Sequence, residues 1–120
     1  MKFLTLVLLL LFLAVPASTQ IKEKQQHTFS ATTTWAEKTM TGTQFNPFTG
    51  FLYVNDSSTL TDTVWVGWRR SGVPGVIDTS TTYRTPVKGG ESFSMTNAQL
   101  YGVWFLASSG TIPGRLTLWR

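Results

Sequence analysis

Polar and apolar residues alternate with a period of two over much of the chain after residue 26, which is typical of strands with one buried face. The first such segment begins at His27 and ends at Trp35, with Phe29 and Ala31 on one side and threonines and serines on the other. The last segment, 115–119, alternates cleanly to the C-terminus. After residue 21 no window has a convincing helical period of 3.6 residues, so the pattern predicts strands.

Further strand candidates lie between these two segments, at 51–54, 63–69, 76–84, 85–87, 91–95 and 100–107. Residues 100–107 (LYGVWFLA) form the most apolar run after the N-terminus and predict a central buried strand. Residues 76–84 are polar and rich in threonine, which favours an edge position. Lys88-Gly89-Gly90 predicts a hairpin or a tight corner. Seven or eight short strands with turn signals between them predict an antiparallel β-sandwich or jelly-roll-like domain.

The first 20 residues differ in kind from the rest, because Lys2 is the only charge before Lys22. Their pattern predicts a hydrophobic helix, which is either a secretory signal peptide cut after Ala17 or a retained membrane anchor over residues 3–15. The apolar positions are Phe3, Leu4, Leu6, Val7, Leu8, Leu9, Leu10, Leu11, Phe12 and Leu13. The predicted organisation is therefore a leader or anchor (1–20), a charged linker (21–26) and a β-sandwich domain (27–120).

The amino-acid composition of the chain limits the kinds of functional site that it can have. The chain has no cysteine, which excludes thiol catalysis, zinc–thiolate sites and disulfides. An exported domain of this size then depends on packing, oligomerisation or a partner for its stability. The net charge is +4 on a charged fraction of 13%, and the longest basic run is Arg69-Arg70. A nucleic-acid partner is not predicted, because nucleic-acid binding requires a clustered basic stripe.

The residues that carry chemistry are few and scattered. His27 is the single histidine, and it has no carboxylate signature beside it of the kind a catalytic triad needs. Asn55, Asp56 and Asp62 surround a turn, where such residues serve turn formation more often than calcium binding. Asn55-Asp56-Ser57 also matches an N-glycosylation acceptor. We predict a protein that is not an enzyme, with no catalytic, metal or cofactor site.

Aromatic residues indicate a contact surface instead. Trp65 and Trp68 lie three positions apart, an odd spacing, so a regular strand places them on opposite faces and leaves one of them for an external contact. Together with Arg69, Arg70 and Tyr83 they form the candidate contact surface. The predicted partners are neighbouring protein subunits, for which interface tryptophan is typical, or glycans stacked on the rings.

The C-terminal third, 86–119, resembles small β-sandwich proteins of virions and phage particles. The residues that carry this resemblance are the turn and strand at 86–94, the run at 100–110 and the final strand at 115–119, which look like the closing hairpins of such domains. The resemblance implies a capsid-associated, decoration or spike component. It implies no catalytic residue.

The predicted location of the protein is membrane-associated, exported or on a virion surface. Two alternatives to a virion component remain open. The chain is equally suited to be a secreted cell-surface or filament subunit, in which a segment such as 27–35 would complete the sheet of a neighbour by strand addition. A carbohydrate-binding module is the second alternative, with Trp65, Trp68 or Tyr83 as its platform.

Overall fold

The computed structural model describes residues 23–40, 47–70 and 84–120. The described residues form eight β-strands and no helix, which confirms the all-β prediction for this part of the chain. The strands are β1 (Lys24–Ala31), β2 (Ala36–Lys38), β3 (Gly50–Asn55), β4 (Thr63–Arg69), β5 (Arg84–Lys88), β6 (Ser92–Met95), β7 (Gly102–Ala107) and β8 (Ile112–Trp119). The predicted hydrophobic helix and membrane segment of residues 1–20 lie outside the described residues. Within the described ranges, no helix is long and apolar enough to span a membrane.

The eight strands of the described part divide equally between two antiparallel sheets. Sheet A has the order β1-β8-β3-β6, and sheet B has the order β2-β7-β4-β5. The chain changes sheet at most of its connections, since only β4 and β5 are both consecutive and paired. Eight strands in two facing sheets correspond to the layering of a jelly roll.

The core lies between the sheets and forms from alternate residues of each strand. Successive residues of a strand point to opposite faces. The inward-pointing side chains are almost fully buried, as for Leu116 and Leu118 of β8 and Val64 and Val66 of β4. Their odd-numbered neighbours point to the outer faces. Aromatic rings join the two sheets, as the Phe105 ring of sheet B lies 4.7 Å from Phe29 and 4.8 Å from Tyr53, centre to centre. The other buried apolar residues are Ala31, Met40, Phe48, Phe51, Val87, Leu100, Val103, Ala107 and Ile112.

The structure differs from the sequence prediction at the start of the domain. β1 begins at Lys24, so residues 24–26 of the predicted linker belong to the strand, and residues 21–22 lie outside the described residues. The cause is pairing with β8, in which Lys24 lies opposite Trp119. The strand also ends earlier than predicted, at Ala31, and the chain continues into the short strand β2.

Two predicted corners can be compared with the structure. Residues 88–91 form a tight turn in which the Glu91 amide donates to the Lys88 carbonyl at 2.9 Å and Gly90 has a φ of 80°. This turn is the predicted corner and not a hairpin, because β5 lies in sheet B and β6 in sheet A. The expected closing hairpin of the C-terminus is likewise absent from the described residues, since β7 and β8 lie in different sheets. Residues 76–83 of the predicted polar strand lie outside the described residues.

Candidate interaction surfaces of the two sheets

The outer face of sheet B carries large apolar side chains. Trp65 of β4 points outward, opposite Leu106 of β7 on one side and Pro86 of β5 on the other. Trp104 lies opposite Gly67, so it is a diagonal neighbour of Trp65 on the same face. Trp65, Trp104 and Leu106 are half-buried. An apolar set of this kind on an outer face is typical of a contact surface.

Arg84 adds a positive charge to this face. Its guanidinium carbon lies 4.7 Å from the centre of the Trp65 ring, which is cation–π distance. Gly67 separates Arg84 from Trp104 across the sheet and presents no side chain between them. We call Trp65, Arg84, Trp104 and Leu106 the aromatic face.

Trp68 belongs to the core. Its ring stacks on Phe93 of sheet A, with centroids 5.8 Å apart and planes 19° apart, and it packs against the buried cluster. The prediction that Trp65 and Trp68 occupy opposite faces of the strand agrees with this geometry. Trp68 is therefore not part of an external surface.

The other predicted contact residues fall into different settings. Arg69 is buried, with its Nε 2.8 Å from Oε1 of Glu37, and only 3% of its side chain is exposed. Gly102 lies beneath the Glu37 carboxylate, where a larger side chain would collide with it. Arg70 is exposed beside β4, and Tyr83 lies outside the described residues. Of the predicted contact residues that the structure describes, only Trp65 belongs to the aromatic face.

Sequence reasoning missed Arg84, Trp104 and Leu106. A signal for two of them was present, because alternation in the run GVWFLA places Trp104 and Leu106 together, opposite Val103 and Phe105. Arg84 had no such signal, since its position depends on the pairing of β5 with β4.

The outer face of sheet A is mainly polar. A groove of about 170 Å³ lies on this face, with the central strand β8 as its floor. Its outward-pointing side chains come from β1, β3 and β8 and are Gln26, Thr28, Leu52, Val54, Arg115 and Thr117. Leu52 is 37% exposed. At one end of the face the Trp119 ring packs on Gly50, where a Cβ would lie 2.5 Å from the indole.

Asn55 organises the loop that follows β3. Its buried amide Nδ2 donates to the carbonyls of Asp62 (3.0 Å) and Val87 (2.9 Å), and its Oδ1 accepts from the Ser57 amide (3.0 Å). The bond to Val87 ties sheet A to sheet B. Since Asn55 has no exposed surface, its amide cannot act as a glycan acceptor in the folded chain.

The remaining polar candidates have structural contacts. Arg115 binds both oxygens of Asp56 at 2.8 Å, and this contact lowers the pKa of the Asp56 carboxyl. Asp62 accepts a hydrogen bond from the Ser57 hydroxyl at 2.6 Å. No cluster of three metal-ligating side chains occurs among the described residues. His27 is half-buried on the inner side of β1, where burial and the nearby charge of Lys38 lower its pKa.

Strand β1 completes its own sheet. All eight of its residues pair with β8, from Lys24 opposite Trp119 to Ala31 opposite Ile112. Donation of this segment to a neighbouring subunit would first require these pairs to separate.

No protein-family model matches the chain, and no curated protein matches it. A solved chain from the Bacillus endospore appendages, described as "a novel family of disulfide-linked pili", is similar in structure with a TM-score of 0.60. The similarity covers 88% of this chain and 91% of that chain, at 18% sequence identity. At this identity the similarity shows a shared fold.

Proposed function

We propose that the chain is a structural subunit of an extracellular filament or surface appendage. The observation that carries this proposal is the shared fold with the appendage chain, over nearly the full length of both proteins. It supports the filament alternative of the sequence analysis in preference to a virion component. The apolar N-terminal segment, whether signal peptide or anchor, suits a subunit that is exported.

The bonding between subunits must differ from that of the disulfide-linked pili. This chain has no cysteine, so no disulfide can join one copy to the next. We propose that assembly depends on noncovalent contacts alone, made by surfaces of the two sheets. A polymer of this kind should come apart in denaturant without any reducing agent.

Electron microscopy of the purified chain tests the proposal. We expect regular filaments that form equally well with and without dithiothreitol and that dissolve to monomers in detergent without reduction. The control is an unrelated cysteine-free β-sandwich at the same concentration, which should show no ordered polymer. A chain that stays monomeric at every concentration tested, in both redox conditions, would contradict the proposed function.

The aromatic face favours a second function, carbohydrate binding. Trp65 provides an outward ring, and the Arg84 guanidinium that lies over this ring would have to move aside for a sugar to stack there, where it could donate hydrogen bonds to the sugar hydroxyls. A glycan panel titrated against tryptophan fluorescence tests this function, with Trp65→Ala as the matched control. A response that the W65A variant retains, or no response to any glycan, argues against it.

A further inference from the structure

Glu23 and Arg120, the first and last residues that the structure describes, lie side by side at one end of the sandwich. The Glu23 amide donates to the Arg120 carbonyl at 3.0 Å, and the Arg120 amide donates to the Glu23 carbonyl at 3.1 Å. Their side chains form an ion pair with a distance of 2.6 Å. The apolar residues 3–15 are therefore tethered to this end of the domain by residues 16–22.

Two exposed basic side chains lie at the same end. Lys24 is opposite Trp119 at the start of β1. Arg70 follows β4 and borders an open hollow together with the loop 95–99. This loop donates a hydrogen bond to the carbonyl of Thr49, whose own amide is bonded to the Trp119 carbonyl. Neither Lys24 nor Arg70 has a carboxylate within ion-pair distance among the described residues.

The two halves of the sandwich differ in the sign of their charge. In the half that contains this end, the described side chains carry a net charge of +4, from Lys24, Lys38, Arg69, Arg70, Arg84, Arg120, Glu23 and Glu37. In the other half they carry a net charge of −1, from Lys88, Arg115, Asp56, Asp62 and Glu91. The eight residues of β8, which run from one end to the other, span roughly 23 Å. Since the Debye length at physiological ionic strength is about 8 Å, a charged partner at one end responds mainly to the charges of that end.

Aromatic side chains accompany the basic residues. Trp119 of β8 and Tyr101, which directly precedes β7, are both half-buried at this end. The rings of tryptophan and tyrosine are enriched at membrane–water interfaces, because each has an apolar body and a polar tip. We call the following residues the basic end: Lys24, Arg70, Tyr101, Trp119 and Arg120.

We propose that the basic end docks on the surface of an anionic lipid membrane. The apolar segment 3–15 and the cationic side chains act on the same bilayer, because both are attached to one end of the domain. Each lysine or arginine close to an anionic bilayer strengthens binding by about fivefold. The contact goes beyond the proposed filament function, since it concerns a single subunit whether or not that subunit assembles.

Vesicle co-sedimentation of the full chain tests the contribution of charge. We expect vesicles of phosphatidylcholine mixed with phosphatidylglycerol to bind at least about twentyfold more tightly than vesicles of phosphatidylcholine alone, and high salt should reduce this ratio. Lys24→Gln and Arg70→Gln should each lower the ratio about fivefold. The ratio removes the contribution that residues 3–15 make to binding of any bilayer.

Lys88→Gln is the matched control, because it removes the same charge from an exposed position in the opposite half. It should change the ratio by less than about twofold, and thermal unfolding should show that all three variants fold. Equal binding to neutral and anionic vesicles, or an equal loss in Lys88→Gln and Arg70→Gln, would overturn the proposal. Tighter binding to soluble polyphosphate than to anionic vesicles at the same phosphate concentration would also overturn it and assign the basic end to a soluble polyanion.

Quenching by brominated phospholipids tests the orientation of the docked domain independently of charge. Bromine quenches tryptophans that lie close to the bilayer, so part of the fluorescence should be lost when the chain binds brominated anionic vesicles. Trp119→Phe should reduce the quenched fraction, whereas Trp65→Phe, a matched change on the outer face of sheet B, should not. A quenched fraction that falls in W65F and not in W119F would place sheet B on the bilayer and contradict docking by the basic end.

Discussion

The outer face of sheet A is mainly polar, whereas the outer face of sheet B carries large apolar side chains. Sheet A alternates polar and apolar positions, so its outer face carries threonine, serine and glutamine around one groove. Sheet B has large apolar residues on both faces, and Trp65, Trp104 and Leu106 remain half-buried on the outside. A strand that is apolar on both sides is therefore not necessarily covered on both sides by its own domain.

The same contrast holds for the ion pairs. Each sheet has an arginine and a carboxylate 2.8 Å apart on its outer side. In sheet B the Arg69 side chain is 3% exposed, whereas in sheet A the Arg115 side chain is 63% exposed. The two pairs have equal distances and should differ in their contribution to stability.

The largest effect should come from Glu37→Ala on sheet B. It leaves the buried Arg69 guanidinium without its carboxylate, which should lower the free energy of unfolding by about 3 kcal/mol. Asp56→Ala is the matched change on sheet A and should cost less than about 1 kcal/mol, because its pair is exposed to solvent. Urea denaturation measures both variants, and equal losses would contradict the contrast between the faces.

The next largest effect should come from Asn55→Ala, at the point where the sheets are tied together. The change removes the donor for the buried Val87 carbonyl, and we expect a loss of about 2 kcal/mol in the free energy of unfolding. Thr61→Ala, at an exposed position of the same loop, should change it by less than about 0.5 kcal/mol. If the two variants unfold at the same urea concentration, Asn55 does not hold the sheets together.

A smaller gain is expected from Tyr53→Phe in the core of sheet A. The Tyr53 hydroxyl is buried and has no hydrogen-bond partner among the residues that the structure describes, and burial raises the pKa of this phenol. Its removal should raise the free energy of unfolding by about 1 kcal/mol. Tyr101→Phe, whose hydroxyl is bonded at the surface to Gln99, should have little effect on thermal unfolding. A clear loss of stability in Y53F would mean that the hydroxyl is bonded in solution.

The smallest effect should be a dependence of stability on pH at the edge of sheet A. Burial and Lys38 lower the folded-state pKa of His27 from 6.5, so below pH 6.5 the unfolded chain binds this proton more readily than the folded chain. The free energy of unfolding should therefore fall as the pH drops from 6.5 toward the folded pKa. Denaturation at several pH values measures the slope, which His27→Gln should abolish. Asp56 contributes only at lower pH, since its pKa lies below 3.8. An unchanged slope in H27Q would assign the dependence to another group.

Much of the fold was predictable from local pattern. Strands β3, β4 and β7 and residues 115–119 of β8 follow from alternation or from an apolar run, and the corner after Lys88 follows from its glycines. The start of β8 at Ile112 was not predicted, since Pro113 and Gly114 indicate a turn. Strand β2 was not predictable, because its three residues become a strand only through pairing with β7. The start of β1 was missed for the same reason, since polar Lys24 and Gln25 are in a strand because β8 lies beside them.

The candidate surfaces were predictable only in part. The odd spacing of Trp65 and Trp68 predicts that they lie on opposite faces of the strand. Which of the two points inward depends on packing, because Trp68 stacks on Phe93 of the other sheet. The sequence predicts a glycosylation acceptor at Asn55, whereas in the structure this side chain is buried and its hydrogen bond to Val87 connects the two sheets. Leu60, in the loop between β3 and β4, is 74% exposed and drew no prediction, because a single apolar residue in a polar loop has no periodic signal.

Hydroxyl-radical footprinting of the free and the assembled chain tests most directly which face builds the assembly. The method reports the solvent exposure of individual side chains, so it compares sheet A and sheet B in one sample. If outer faces of the sheets build a noncovalent filament, labelling of Leu52 on sheet A or of Trp65 on sheet B should fall several-fold on assembly. Labelling of both side chains that stays as high in filaments as in the free chain would contradict assembly through these faces.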